Sequence, residues 1–158
     1  MSSWALAWPT RMPDPRFGAM THFYAIAKSL AFRLDAESVH DRALSGLGAA
    51  SRSGPLLRIL DRSLGFADPR LHVSLFGRTF PGPLGVAAGL DKNGVAAPAL
   101  QALGFAFVEV GTITPEPQPG NSKPRVFRLP EDHALINRMG FPGQGVATVK
   151  RRLADPLP

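Results

Sequence analysis

Between Gly85 and Gly94 the chain reads GVAAGLDKNG, an apolar run that ends on an aspartate and a lysine. An ammonium at the mouth of a buried strand is either part of a solvated turn or a cation set beside a ligand that gains negative charge. Thr112 follows a second apolar run, and Asn137 and Arg138 follow a third segment. The asparagine carboxamide offers two donors and an acceptor, which suits a planar imide-like edge. Glycines at 85, 89 and 111 would let backbone approach a planar ligand closely. Asp91 has a plainer prospect, as a turn or helix-capping residue ahead of Gly94. Other lysine chemistries fit less well. A phosphate-binding loop needs a glycine spacing that ends in Gly-Lys-Ser/Thr, which GVAAGLDK lacks. A Schiff-base lysine needs a desolvated pocket, which sequence alone does not show. Cysteine is absent, and no group of histidines and carboxylates has metal-ligand spacing, so no metal site is expected.

The elements that would position these residues can be read from periodicity. Residues 1–19 hold three prolines and no repeat, and they read as a disordered tail or, with Met20 as the true start, a translation-start artefact. From Thr21 apolar residues recur at three and four positions: Phe23, Ile26, Ala27, Leu30, Ala31 and Leu34, with Tyr24 and Phe32 widening the face. A helix follows from Ala36 with Val39, Ala43, Leu44 and Leu47 inward, and a third runs from Pro55 to Leu64. Residues 20–66 thus form a helical unit. From residue 67 onward the character changes to α/β. His72–Phe80 suggests a short hairpin broken at Gly77. Leu84–Ala88, an Ala-rich helix over Gly94–Leu103 and Phe105–Val110 make one strand–helix–strand unit, hence a parallel sheet. Thr114–Pro124, with four prolines, is a loop, Arg125–Leu129 a short strand, and Pro142–Asp155 a helix with Val146, Val149 and Leu153 inward. Asp91-Lys92 and Thr112 then fall at strand C-termini, where ligands bind in parallel α/β sheets and barrels.

Composition bounds the partners. The 158 residues are 44% hydrophobic, enough for a core and too apolar for wholesale disorder. The absence of cysteine excludes disulfides and points to a reducing compartment. The net charge of +6 is scattered and not interleaved with aromatics, so no nucleic-acid partner is expected; an anionic membrane surface or anionic small ligand suits it as well. No stretch reaches the roughly 18 uninterrupted apolar residues that a spanning helix needs. The first residues do not make a signal peptide.

The stretches LDAESVHDRAL, PGPLGVAAGLDKNG and GFAFVEVGTITPEPQPGNSKPRVFRLPEDHALINRMGF together resemble the quinone-dependent, membrane-associated class of dihydroorotate dehydrogenases. The resemblance runs from about Thr21 to about Leu153 and implies an α/β chain: the N-terminal part of a TIM (β/α)8 barrel, preceded by a small helical membrane-associating unit. It implies FMN as cofactor, with Ala88, Gly89, Lys92 and Thr112 as flavin contacts. It assigns Lys92, Asn137, Arg138, Met139, Gly140 and Phe141 to dihydroorotate or orotate, and His40 and Arg128 to a ubiquinone-type quinone. The expected setting is the membrane surface, as a peripheral protein on the cytoplasmic face of a bacterial inner membrane, or the mitochondrial inner membrane in a eukaryote.

Residues 67–158 are too few for the roughly 250 of a whole barrel. The resemblance places the family's catalytic serine, later substrate asparagines and the flavin-phosphate loops beyond Pro158, so no catalytic base is expected in this chain. The sequence therefore reads as an incomplete barrel, inactive alone. Two other readings stand beside it: half of a split flavoenzyme, and an independent membrane-surface module.

Overall fold

A computed structural model describes residues 18–154. The chain divides into two compact units at Asp35. In the first, helix α1 spans Gly18–Ala31, three residues earlier than periodicity suggests. It winds down through Phe32, Arg33 and Leu34, whose N–H groups donate to Lys28, Leu30 and Ala31 carbonyls at 2.9–3.2 Å. Lys28 Nζ lies 5.3 Å from the Phe32 ring centroid, a cation–π contact. Tyr24, Ile26, Leu30 and Phe32 are all exposed. Residues 1–17, which the tail expectation mostly concerns, lie outside the described residues.

The second unit starts with α2 (Ala36–Ser51) and α3 (Gly54–Leu64). Ser53 begins α3 by accepting from the Leu56 N–H at 3.4 Å, with Pro55 in the first turn, where its missing N–H costs nothing. The buried face of α2 differs from expectation. Leu44 and Leu47 turn inward and Val39 is half-buried, but Ala43 is exposed and Gly48, Ala50 and Ser51 are buried instead. Gly48 lets α2 close on the segment before α4, since a Cβ there would meet the Val95 carbonyl at 3.2 Å. Ser51 Oγ accepts from the Ala99 N–H at 3.1 Å, stitching α2 to α4.

The hairpin forms as expected, β1 (Val73–Leu75) pairing antiparallel with β2 (Arg78–Phe80). Phe76 and Gly77 both take positive φ, the two-residue turn whose twist matches a hairpin. Next come β3 (Gly85–Val86), α4 (Ala97–Ala102) and β4 (Phe107–Val108), with β3 and β4 parallel. The regular strands are short, but backbone pairing continues past them, from Ala106 N to Leu84 O at 2.8 Å and from Glu109 N to Val86 O at 2.9 Å. Val86, Ala96 and Leu100 form the core with Leu44, Leu47, Val95, Leu103, Phe105 and Val108 around them. Gly85, whose place in the motif suggests a close approach to a ligand, is needed for a neighbouring side chain. A Cβ on Gly85 would collide with the Phe107 ring, so the glycine makes room for that ring, which packs edge-on against Phe80.

Beyond the proline loop, β5 (Val126–Leu129) pairs antiparallel with β6 (Ala134–Asn137). The second of these strands is not legible in the sequence: all four residues are exposed, so ALIN carries no burial alternation. The loop is ordered by reciprocal backbone bonds between Gln118 and Gly143, at 3.0 and 2.9 Å. Helix α5 (Gly145–Ala154) buries Val149, whereas Val146 and Leu153, expected inward, are about half exposed. The described residues thus hold one parallel strand–helix–strand unit and two antiparallel hairpins, a partial α/β arrangement without a closed barrel.

One ion pair ties this unit together. Glu37 on α2 and Arg125 before β5 are both buried. Arg125 Nε lies 3.1 Å from each Glu37 oxygen and a terminal nitrogen 2.5 Å from Oε1, with Lys123 adding a longer contact at 3.4 Å. The hydrogen bonds from Arg125 hold the Glu37 carboxyl below its ordinary value near 4.5, although burial opposes this. A depressed folded-state pKa gives stability that is complete above the ordinary carboxylate range and is lost as pH falls through the folded value. Denaturant midpoints should therefore drop on acidification below about pH 4.5, and Glu37→Gln should flatten that drop while lowering the midpoint at neutral pH. An unchanged acid limb in the variant would show that Glu37 does not carry it.

Candidate functional site

A cavity of about 1000 Å³ opens at the C-terminal ends of β3 and β4. It is of a size that binds cofactors and drug-sized ligands. Five segments wall it: α2 with Ala36, Glu37, Val39 and His40; the β3 end from Val86 to Leu90, with Lys92; Thr112 after β4; Asn121 of the proline loop; and the β5–β6 hairpin with residues 138–142. Every residue that the resemblance assigns to flavin, substrate or quinone lines it: Ala88, Gly89, Lys92, Thr112, Asn137, Arg138, Met139, Gly140, Phe141, His40 and Arg128.

The Asp91-Lys92 pair divides between two jobs. Asp91 is fully buried, and its two oxygens accept from the Val95 and Ala96 N–H groups at 2.9 and 2.7 Å. It caps the turns that lead into α4, whose own N-cap residue, Ala96, gives no side-chain cap. This is the turn-and-capping role that its sequence position suggests. Lys92 turns the other way, into the cavity wall, and its Nζ donates to the Gly89 carbonyl at 2.8 Å. An ammonium has three donors, so two remain for a ligand. Gly89 has φ +105, and a Cβ built on it meets nothing within 4 Å.

Segment 137–141 is held from outside. Asn121 Nδ2 donates to the Arg138 carbonyl at 2.7 Å and the Asn121 N–H to the Met139 carbonyl at 3.0 Å. Gln118 Nε2 donates to the Phe141 carbonyl at 2.9 Å. Arg138 donates from its guanidinium to the Pro124 carbonyl at 3.1 Å. Asn121 lines the cavity, and sequence reasoning misses it, because Gly120-Asn121 reads there only as a turn signal. Glu37 is missed for lack of any local signal, since its partner lies 88 residues away.

His40 faces the cavity from α2. Burial first, and then the charge of Lys92, hold its imidazole below the ordinary value near 6.5, so it is neutral at pH 7. Among the described residues no three histidines or carboxylates converge on a metal-sized site.

The lining of the cavity suits a flavin. An open face at Gly89, an ammonium pinned at the strand mouth, the Thr112 hydroxyl and the Asn137 carboxamide offer a planar ring both a flat approach and polar partners along its edge.

Residues 70–157 match the family model for dihydroorotate dehydrogenase, and the chain belongs to that family. Curated relatives named dihydroorotate dehydrogenase (quinone) include one from Deinococcus deserti, 53% identical over 82% of this chain and 36% of its own length. One from Thermus thermophilus is 57% identical over 77% of this chain and 35% of its own length. One from Chloroflexus aurantiacus is 52% identical over 90% and 40%. The crystal structure of the Eimeria tenella enzyme in complex with ferulenol superposes with a TM-score of 0.65 and 44% identity, over 75% of this chain and 29% of that one. The chain thus spans about a third to two fifths of the curated relatives it matches.

Two outcomes follow from the site's geometry. Asp91→Ala strips a buried and a half-buried N–H group of their acceptor and should lower unfolding free energy by about 2–3 kcal/mol, read from denaturant curves. Lys92→Met removes one cause of the His40 depression, so the His40 ring signals should titrate at a higher pH by NMR.

Proposed function

We propose that this cavity is the flavin- and substrate-binding end of a quinone-dependent dihydroorotate dehydrogenase, which oxidises dihydroorotate to orotate in pyrimidine biosynthesis. The observation that supports the reading is that residues which the resemblance assigns to flavin, substrate and acceptor, drawn from segments up to about a hundred residues apart, line one cavity. FMN, when bound, supplies the hydride acceptor and passes the electrons on to quinone.

The chain's residues do the rest of the work assigned here. Ala88 and Gly89 leave the strand mouth open for the ring. Lys92 sets a positive charge where electron density arrives, and Thr112 offers a hydroxyl to the ring edge. Asn137 reads the imide-like edge of the substrate, and Arg138 to Phe141 shape the pocket around it. His40 on α2 and Arg128 on β5 are assigned to the acceptor's approach. A neutral imidazole can both donate to and accept from a quinone and its reduced form.

The helical unit is proposed to meet the membrane. The exposed Tyr24, Ile26, Leu30 and Phe32 of α1 suit an interfacial helix, with Lys28 and Arg33 toward head groups. No helix among the described residues is long and apolar enough to cross a membrane. The proposed setting is peripheral, at the cytoplasmic face of a bacterial inner membrane or at the mitochondrial inner membrane.

The test is ligand titration of the isotope-labelled chain by NMR. FMN should move the amide signals of Ala88–Lys92 and Thr112, and orotate those of Asn137–Phe141. Asn137→Ala should weaken orotate binding about tenfold, the loss of a ligand hydrogen bond of ordinary strength. Absence of any response at millimolar ligand, or responses confined to the other face of β3, would remove the proposal.

A further inference from the structure

The Glu37–Arg125 pair has no assigned part in the proposed reaction, yet it lies against the cavity through Glu37. Its reach is unusual for an ion pair. While Nε and one terminal nitrogen of Arg125 grip Glu37, the other terminal nitrogen donates to the Pro119 carbonyl at 2.6 Å and the Asn121 carbonyl at 2.9 Å. Those two carbonyls bracket Gly120. Asn121 in turn holds Arg138 and Met139 through the bonds described above. The Arg125 carbonyl itself accepts from the Arg138 N–H at 2.8 Å.

The two segments interlock with no slack. Gly120 has φ +73, and a Cβ there would strike the Met139 carbonyl and come within 2.8 Å of the Arg125 guanidinium. A Cβ on Gly140 would come within 2.7–2.8 Å of Asn121. A shift of the 119–121 loop therefore moves 138–140 with it.

We propose that Arg125 is a positioning residue for the substrate segment: clamped by Glu37 of α2, it fixes the 119–121 loop, and through Asn121 it sets Arg138, Met139 and Gly140. The proposal rests on the reading of 137–141 as the orotate segment. It also joins α2, which carries His40, to that segment through one rigid side chain. Arginine is required for this. Its planar fork can hold a carboxylate on one edge and two carbonyls on the other, whereas a lysine ammonium is a single point that cannot span both.

The experiment compares Arg125→Lys, Asn121→Ala, Glu37→Gln and Leu100→Ala in the full chain. Leu100 is a core residue outside the cavity, so its variant controls for general loss of stability. Amide spectra and orotate titrations are recorded for each under native conditions. Arg125→Lys and Asn121→Ala should each shift the amides of Arg138, Met139 and Gly140, speed their hydrogen exchange, and raise the orotate dissociation constant about tenfold. Glu37→Gln keeps an acceptor for the guanidinium and should raise it only about two- to threefold. Leu100→Ala should leave both readouts unchanged while lowering the denaturation midpoint. If Arg125→Lys does not fold, Asn121→Ala decides, because it cuts the same relay without disturbing the buried pair. Unchanged 138–140 amides in Asn121→Ala, or equal shifts in Leu100→Ala, overturn the proposal. If the parent chain does not bind orotate, the assignment of the substrate segment fails, and the amide shifts and exchange rates still decide the positioning role.

Discussion

A buried carboxylate and a buried guanidinium cannot be left apart in a protein interior, and Glu37 and Arg125 organise the second unit around that constraint. The pair is satisfied nearly in full: both carboxylate oxygens accept, and every nitrogen of the guanidinium donates. Such saturation is what makes a buried charge tolerable. It also means that α2 must arrive against a loop and strand start that lie up to 88 residues further along the chain. Helix α2 brings the acid, the residue just before β5 brings the base, and the proline loop brings the carbonyls. Were one displaced, the others would be left with unpaired polar groups. The cavity wall is built from these same elements.

A second constraint operates at the strand mouth. Consecutive residues Asp91 and Lys92 leave the end of β3 in opposite senses. The carboxylate is withdrawn completely from water to hold the N–H groups of Val95 and Ala96, which fixes the tight turns before α4. With its neighbour anchored, Lys92 is presented to the cavity and steadied on the Gly89 carbonyl. The ammonium also acts at a distance, since its charge helps keep His40 of α2 neutral. The Lys92 end of the cavity and the His40 end are therefore electrostatically linked.

Much of the site is legible in the linear sequence. GVAAGLDKNG by itself leaves a solvated turn and a ligand site both open, and it is the resemblance to a known family that singles out Lys92 and INRMGF. Helices α2 and α3, the β1–β2 hairpin and the β3–α4–β4 unit are legible because burial imposes periodicity and because glycine and proline mark the turns. Strand β6 is not, since a strand exposed on both faces has no alternation to read. The inward positions of α5 are only partly legible. Val149 is buried, but Val146 and Leu153 stay half exposed, because helical spacing names a face and not what covers it.

The sequence by itself determined the family, the residue types at the cavity and the order of the elements. Those follow from local pattern and from motif, both of which are written along the chain. Only the tertiary structure decided that Asp91 faces inward and Lys92 outward, that Gly85 yields its space to Phe107, and that Asn121 holds the 138–139 backbone. Only it joined Glu37 to Arg125 across 88 residues. The reason is that an ion pair or a close backbone approach depends on distance in space, and sequence spacing carries no information about that distance until the chain has closed on itself.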